Sequence, residues 1–224
     1  MPALFVTATG TDIGKTFVTC GLIAELRRQG RAVEAIKPVV TGLDPAAAAD
    51  ASDPALLLAA LGRPPAEIAK ISPWRFVAPL SPDLAASREG RTLDFSALLD
   101  FSRAAVASAN DVLLIEGIGG IMVPLDADHT VLDWMAALRL PLILVAGSYL
   151  GTLSHTLSAV DVLRPRELTI AAIVISQTPG GTVPLADTAA SIARFVAPIP
   201  VLALPRLAAA SAEHPVFARL AELV

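Results

Sequence analysis

The stretch FVTATGTDIGKT, which runs from Phe5 to Thr16, decides the fold. It opens with apolar, β-branched residues typical of a buried strand, and Val18, Leu22 and Leu26 then follow at helical spacing. A Gly-Lys-Thr at a strand-to-helix junction predicts a phosphate-binding loop, because backbone N–H groups and the helix N-terminus attract phosphate oxygens. The lysine, residue 15, would supply positive charge to the β- and γ-phosphates of a nucleotide, and the threonine hydroxyl would ligate Mg²⁺.

Similar short apolar runs recur along the chain and alternate with helix-like segments near residues 95–109 and 152–163. Strands that are apolar on both faces suit a buried parallel sheet, and strand–helix alternation implies right-handed crossovers. We therefore predict a single α/β domain over residues 1–224, with a doubly wound, mostly parallel sheet of P-loop NTPase architecture. The predicted strands are Ala3–Val6, Ala32–Ile36, Val112–Ile115, Leu142–Val145, Ile170–Ile175 and Ile199–Leu202.

The composition excludes several classes of protein. The net charge of −4 over 224 residues argues against binding to nucleic acid or to an anionic membrane. The apolar stretch from 140 to 160 is interrupted by Pro141, Gly147 and Gly151, which favours a strand, loop and helix over a membrane span. The first residues lack the basic segment of a signal peptide, so we expect a cytoplasmic protein.

Two carboxylates are candidates for the magnesium site. The strand from Val112 ends in Glu116, where an acid can reach a metal ion bound beside the phosphate loop. Gly117 and Gly119 follow it in a loop that allows close backbone approach. Asp53 stands immediately before Pro54 at a predicted helix start, so it is either a metal ligand or a helix cap.

A second lysine, Lys37, follows a predicted strand and precedes Pro38. At the sheet edge its charge could neutralise an anion that is being phosphorylated, although a surface lysine in a turn is the alternative. The Asn-Lys-x-Asp signature of GTPases is absent, and position 10, where partition-type ATPases carry a second lysine, is Gly10. Both of those classes are therefore disfavoured.

With these motifs in place, nearly the whole chain resembles the dethiobiotin synthetase family. The resemblance is carried by the phosphate loop together with KPVVTG (37–42), PLSP (79–82), EGIGG (116–120), LPLILV (140–145) and Leu150-Gly151 with His155. It implies a homodimeric ligase of biotin biosynthesis that uses ATP and Mg²⁺ to carboxylate 7,8-diaminononanoate with CO₂. A carbamate and a carbamoyl-phosphate anhydride would be the intermediates. The alternatives are another P-loop amide synthetase or small-molecule kinase, or a nucleotide-binding module without turnover.

The resemblance also assigns roles by matching position. Its catalytic residues are Lys15, Lys37 and Thr11, and its metal ligands are Thr16, Asp53 and Glu116. It places the nucleotide on Asp12, Ile13, Gly14, Lys15, Thr16, Phe17, Glu116, Gly117, Gly119, Ser176 and Gln177. It places the diamine on Lys37, Thr41, Ser81, Gly151, Thr152 and Ser154, the last three belonging to a helix N-terminus offered across the dimer interface.

The chain departs from the family pattern in three places, one of which is the Ala- and Asp-rich loop after Gly42, where no motif is recognisable. Ala8 stands for a glycine and Gly10 for an acid in the phosphate loop. Ser176-Gln177 replaces the Asn-Asp pair whose asparagine reads the adenine base in the family.

Overall fold

The computed structural model describes residues 3–43, 52–207 and 214–224. Eight strands lie in these ranges: β1 Ala3–Ala8, β2 Val33–Ile36, β3 Val39–Thr41, β4 Trp74–Phe76, β5 Val112–Glu116, β6 Leu142–Gly147, β7 Ile170–Ser176 and β8 Val201–Leu204. Six of them form one parallel sheet in the order β2-β5-β1-β6-β7-β8. The α/β fold predicted from the sequence, a mostly parallel sheet of P-loop NTPase type, is confirmed.

Helices connect these strands. They are α1 Lys15–Arg28, α2 Asp53–Leu61, α3 Ile68–Ile71, α4 Pro82–Arg88, α5 Phe95–Ser108, α6 Val131–Leu138, α7 Thr152–Leu163, α8 Leu185–Val196 and α9 Pro215–Ala221, with short 3-10 turns at Pro65–Glu67 and Arg164–Arg166. No helix in these described ranges combines the length and the apolarity needed to cross a membrane.

The strand order reverses direction at β1, and this reversal fixes where a ligand can bind. β5 pairs with one edge of β1 and β6 with the other, so the loops after β1 and β5 lie side by side at the carboxyl edge of the sheet. All residues of β1, β5 and β6 are buried, which explains why these strands are apolar on both faces. The switch point of such a sheet is a ligand crevice.

Strand β8 begins two residues later than the sequence predicts. The prediction started at Ile199, but Pro200 has no N–H for a ladder, and only its carbonyl serves the sheet by accepting from the Ile173 N–H at 2.9 Å. The strand that pairs with β7 therefore starts at Val201.

A small second sheet was not predicted. β3 and β4 pair in parallel, with Val39 opposite Trp74 and Thr41 opposite Phe76. Strands of three residues leave too short a pattern to recognise, and this pair is formed by segments distant in sequence. This small sheet holds the residues that follow β2 in place.

Helix α1, which begins at the phosphate loop, is backed by α9. A Cβ atom added to Gly21 would lie 2.2 Å from the ring of the buried Phe217, so the two helices meet at a glycine. Arg31, just beyond α1, donates from Nη1 to the Val224 carbonyl at 2.9 Å and also pairs with Asp111. Residues near 220 thus support the helix that carries Lys15.

Candidate active site

The loop between β1 and α1 has the geometry of a phosphate cradle. Gly14 caps α1 with φ of 100°, a left-handed conformation that disfavours a side chain, and an added Cβ would lie 2.9 Å from Ser176 Oγ. Asp12 is also left-handed, with φ of 56°. Lys15 and Thr16 are the first residues of the helix, so their unpaired N–H groups face the loop.

The Lys15 ammonium group lies between the loops that follow β1 and β5. Nζ donates to the Gly119 carbonyl at 2.9 Å and to the Gly10 carbonyl at 3.3 Å. Burial and the positive charge of Lys37 together lower the pKa of Lys15 to about 8, although Glu116 opposes the shift. The carbonyls hold this lysine above the space where the loop would receive phosphate.

Glu116 lies at the end of β5, where it faces the first turn of α1. Its side chain is fully buried, and the Thr16 hydroxyl donates to Oε1 at 2.7 Å. The other oxygen, Oε2, is buried and has no hydrogen-bond partner among the described residues. A buried carboxylate oxygen without a donor is costly, and a bound cation would remove that cost.

Lys37 joins the two candidate carboxylates. Its Nζ lies 2.5 Å from Glu116 Oε1 and 2.8 Å from Asp53 Oδ2, and the lysine side chain is only 4% exposed. Burial alone would lower the pKa of Lys37, but Glu116 and Asp53 raise it above its ordinary value. Burial likewise raises the pKa of Asp53, yet Lys37 holds it below its usual range.

The structure rules out the helix-cap interpretation of Asp53. Ser52 is the N-cap of α2 and accepts from the Ala55 N–H at 3.4 Å, whereas Asp53 is the first helical residue. Asp53 is therefore not the cap, and its carboxylate is turned towards Lys37.

The backbone of Lys37 is held by residues that the sequence analysis did not identify. Its N–H donates to the Ile71 carbonyl at 3.1 Å, and its carbonyl accepts from the buried Ser72 hydroxyl at 2.6 Å. These bonds come from the segment that leads into β4. A serine before a proline carries no signal of such a role, so only the fold reveals it.

Two cavities open along the phosphate loop. The first, about 340 Å³, is lined by Thr11, Asp12, Gly14, Lys15, Thr16, Lys37, Val40, Thr41, Asp53, Ile118 and Gly119. The second, about 550 Å³, is lined by Asp12, Ile13, Gly14, Thr16, Phe17, Cys20, Ala24, Leu56, Ala60, Ser176, Gln177, Thr178, Pro179, Pro205, Arg206 and Leu207. We call them the phosphate-end cavity and the base-end cavity.

These cavities bring together most of the residues that the sequence predicts for the site. Ser81, Glu116, Gly117, Gly151, Thr152 and Ser154 are not among the residues that line them, although the buried Glu116 is bonded to the lining residues Thr16 and Lys37. Gly117 packs closely, since an added Cβ would lie 2.9 Å from the Phe5 ring. The Thr152 hydroxyl is turned inwards and donates to the Gly147 carbonyl at 2.7 Å.

Comparison with known proteins gives this geometry a context. A family model described as an AAA domain matches residues 2–214. An ATP-dependent dethiobiotin synthetase from Methylobacterium nodulans is 48% identical over 200 residues, covering 87% of this chain and 89% of that protein. One from Caulobacter vibrioides is 52% identical over 179 residues, covering 80% of this chain and 81% of the relative.

The chain belongs to the dethiobiotin synthetase family. The resemblance drawn from the motifs is confirmed by these relatives. Solved structures outside the dethiobiotin synthetases share the fold alone. A MinC:MinD cell division complex from Aquifex aeolicus aligns with TM-score 0.52 at 12% identity, covering 90% of this chain and 79% of that one. A ParA family ATPase from Chlorobium tepidum aligns with TM-score 0.51 at 15% identity, covering 92% and 84%.

Proposed function

We propose that this protein is an ATP-dependent dethiobiotin synthetase, which closes the cyclic urea of dethiobiotin from 7,8-diaminononanoate, CO₂ and ATP. The observation that carries the proposal is the convergence of two lysines, two carboxylates and a threonine hydroxyl on the phosphate end of one nucleotide-sized crevice. The set comprises Lys15, Thr16, Lys37, Asp53 and Glu116. It suits phosphoryl transfer to an anion, and the family membership supplies the substrates.

The reaction has three steps. One amine of the diamine adds to CO₂ and loses a proton, which gives a carbamate. A carbamate oxygen then takes the γ-phosphoryl group of ATP, forming a mixed anhydride and releasing ADP. The second amine attacks the carbonyl carbon, expels phosphate and loses a proton as the ring closes. None of these steps needs a covalent bond to the protein, so the protein's work is positioning and charge neutralisation.

The lysines take two different tasks in this proposal. Lys15 leaves the Gly119 and Gly10 carbonyls for the β- and γ-phosphates, at the place where its N–H-rich loop already attracts anions. Lys37 also lines the phosphate-end cavity, as does Thr41, but it is held by carboxylates and not by loop carbonyls. Its charge there would stabilise the negative charge that develops as the carbamate attacks phosphorus, with Thr11 and Thr41 as nearby hydroxyl donors.

The donor set also fits Mg²⁺. Thr16, Asp53 and Glu116 offer hard oxygen ligands, and Glu116 Oε2 is buried without a partner among the described residues. No cluster of three or more His, Cys, Asp or Glu side chains in the described ranges is arranged to hold a metal by itself. A site with two carboxylates and a hydroxyl suits an ion that shares its ligands with substrate phosphates. Bound there, Mg²⁺ would neutralise phosphate charge during transfer.

The base-end cavity would receive the nucleoside. Ile13 and Phe17 give it an apolar wall, and Gln177 lies at its rim with Oε1 accepting from the Arg206 N–H at 2.9 Å. Ser176, which replaces the family's asparagine, lies beside Gly14. Among the described residues the Gln177 side chain bonds only through its oxygen, which orders the loop after β8, so its NH₂ group could meet a base.

The proposal includes a homodimer in which the partner's α7 N-terminus receives the substrate carboxylate. Two features support it: Leu150 is 85% exposed and Leu153 is 43% exposed beside that N-terminus, and Gly151 caps the helix with φ of 101°. Because Thr152 is turned inwards, Ser154 and the free backbone N–H groups remain for the carboxylate. An isologous dimer would build two such sites at once.

Subunit mixing tests the shared site. Ser154→Asp should place like charge against the substrate carboxylate while remaining favourable at a helix N-terminus. Mixing it with Lys37→Ala, each inactive or weak alone, should restore about one quarter of wild-type activity, because half of the molecules are mixed dimers with one intact site. Sedimentation of an active monomer, or no recovery on mixing, would contradict the dimer.

The activity itself is tested by phosphate release from ATP. Release should require both 7,8-diaminononanoate and bicarbonate, and mass spectrometry should detect dethiobiotin in the same tubes. Release that ignores both substrates would favour a different ATPase, whereas tight ATP binding without release would favour a module with no turnover. The matched control replaces the diamine by a monoamine of equal length, which can form a carbamate but cannot close the ring.

A further inference from the structure

The ammonium group of Lys37 lies where a cation would bridge the two acidic ligands. It contacts Glu116 Oε1 at 2.5 Å and Asp53 Oδ2 at 2.8 Å. The Thr16 hydroxyl reaches the same Glu116 oxygen, so the lysine shares its position with the donors assigned to Mg²⁺. Three of the groups around this point, Lys37, Thr16 and Glu116, are buried.

Lysine and metal compete at this point. Lys37 already holds Glu116 Oε1 and Asp53 Oδ2, so a metal ion that bridged the two carboxylates, even through the unpartnered Glu116 Oε2, would lie close to the ammonium group. Mg²⁺ binds carboxylate oxygen at about 2.0–2.1 Å and demands near-octahedral geometry, which such crowding would disturb. The Lys37 ammonium and a metal ion bound beside it would also repel each other strongly, because the site is shielded from bulk water. One cation must leave as the other arrives.

The charge balance indicates when this exchange occurs. The two carboxylates face two ammonium groups, Lys37 in direct contact and Lys15 nearby on carbonyl oxygens. A divalent ion entering alone would add two positive charges to a site where Lys37 already pairs with both carboxylates. A nucleotide triphosphate brings the negative charge that makes its entry favourable and draws Lys15 to the phosphates.

We propose that Lys37 is a built-in counter-ion that occupies the metal position until nucleotide and Mg²⁺ enter together, and that its displacement delivers the ammonium group to the substrate side. The inference rests on the metal site of the proposed function. The Lys37 backbone is held by Ile71 and Ser72, so the exchange needs only side-chain rotation. The phosphate-end cavity of about 340 Å³ gives the released side chain space next to Thr41.

The exchange imposes an order of binding, in which nucleotide and Mg²⁺ precede the carbamate. Lys37 is neutralised by carboxylates in the empty enzyme and becomes available to a carbamate only after the metal has replaced it. An anion that reaches the cavity before nucleotide therefore meets a lysine whose charge is already paired.

The experiment measures Mn²⁺ binding, with free Mn²⁺ followed by electron paramagnetic resonance and no nucleotide present. Wild type is compared with Lys37→Met, which keeps the length of the side chain and removes its charge. Lys15→Met is the matched control, because it removes a charge from the same cavity without vacating the position between the carboxylates. We expect Lys37→Met to bind Mn²⁺ at least about 10-fold more tightly than wild type, and Lys15→Met to change affinity less than about 3-fold.

Two results overturn the displacement. Equal Mn²⁺ affinity in wild type and Lys37→Met would show that the lysine does not obstruct the metal. An equal gain in Lys15→Met would show that the cavity responds to total charge and not to the occupied position. Lys37→Gln repeats the loss of charge with a polar side chain. The midpoint of thermal unfolding of each variant verifies that any difference in Mn²⁺ affinity comes from folded protein.

A parallel titration with a non-hydrolysable ATP analogue separates this inference from the proposed function. Mn²⁺ that binds wild type with the analogue, together with the expected variant difference without it, supports both. Mn²⁺ that binds with the analogue but shows no variant difference overturns the displacement and leaves the metal site standing. Failure of Mn²⁺ to bind wild type even with the analogue overturns both.

Discussion

The two ends of the crevice are built in opposite ways. At the phosphate end, charged and hydroxyl groups from α1, from α2, from the end of β5 and from Lys37 after β2 neutralise one another at a small cavity. At the base end, a larger cavity has side chains such as Ile13, Phe17 and Leu56 in its wall, and Gln177 at its rim holds the loop near Arg206 through a single hydrogen bond. The phosphate end is specified by charge, whereas the base end is specified by shape.

This difference predicts how each end tolerates change. Removing one member of a buried charge group leaves the others uncompensated, so the cost is large and falls on catalysis. Removing one polar contact from a largely apolar cavity costs a single hydrogen bond. The four predictions below test the contrast, beginning with the largest effect.

The largest effect is expected for Lys37→Ala. Loss of the charge that faces the carbamate should lower kcat by at least about 100-fold, as for other groups that stabilise developing charge. The Kd for ATP, measured by calorimetry, should change little because Lys15 and the loop remain. A variant that loses ATP affinity and keeps kcat would place Lys37 on the nucleotide and remove the distinction between the two lysines.

Thr16→Val should be the next most severe change. It keeps the shape of a buried, β-branched side chain and removes the hydroxyl that meets Glu116, so Mg²⁺ affinity in the presence of ATP should fall about 10–100-fold. The control is Thr19→Val, one turn further along α1, whose hydroxyl donates to the Lys15 carbonyl at 3.0 Å and to no other group in the described ranges. Equal Mg²⁺ affinities in the two variants would show that the Thr16 hydroxyl is not a metal ligand.

The pKa of Lys15 predicts a pH effect of intermediate size. With a pKa of about 8 the side chain is charged below pH 8 and loses its proton above it, so ATP affinity should fall by up to about 10-fold per pH unit above 8. Near pH 8.5 binding should take up protons, because phosphate favours the ammonium form; calorimetry in buffers of different ionisation enthalpy measures this. Affinity that is flat from pH 7 to 9.5 would contradict the prediction.

The smallest effect is expected at the base end. Gln177→Ala removes the acceptor for the Arg206 N–H, and the loss of one such bond should raise the KM for ATP about 2–10-fold with kcat unchanged. Kinetics with ATP and GTP side by side will show whether the ratio of their kcat/KM values moves. A 100-fold loss in kcat would mean that the base end contributes to the chemical step, which would contradict the expected difference between the two ends.

The same contrast explains what could be predicted from the sequence. Gly14, Lys15, Thr16 and Glu116 belong to continuous motifs at strand ends, and the parallel sheet brings strand ends together, so their proximity followed from the pattern. The role of Asp53 could not be decided from its place before a proline, because aspartate serves both as a helix N-cap and as a metal ligand. The role of Ser72 depends on a contact across 35 residues and on the small sheet of β3 and β4, for which no local pattern exists.

The packing of α9 on α1 has a consequence for how the protein is made. Arg31 and Val224 are joined across 193 residues, and Phe217 closes over Gly21 on the helix that starts with Lys15. Contacts so distant in sequence form late, because loop closure must precede them. On the ribosome, β1 and the phosphate loop emerge well before α9, which supports the helix that carries Lys15. Nucleotide affinity is therefore expected to arise only once residues 214–224 have emerged, and translation arrested before them should give a chain that does not retain ATP.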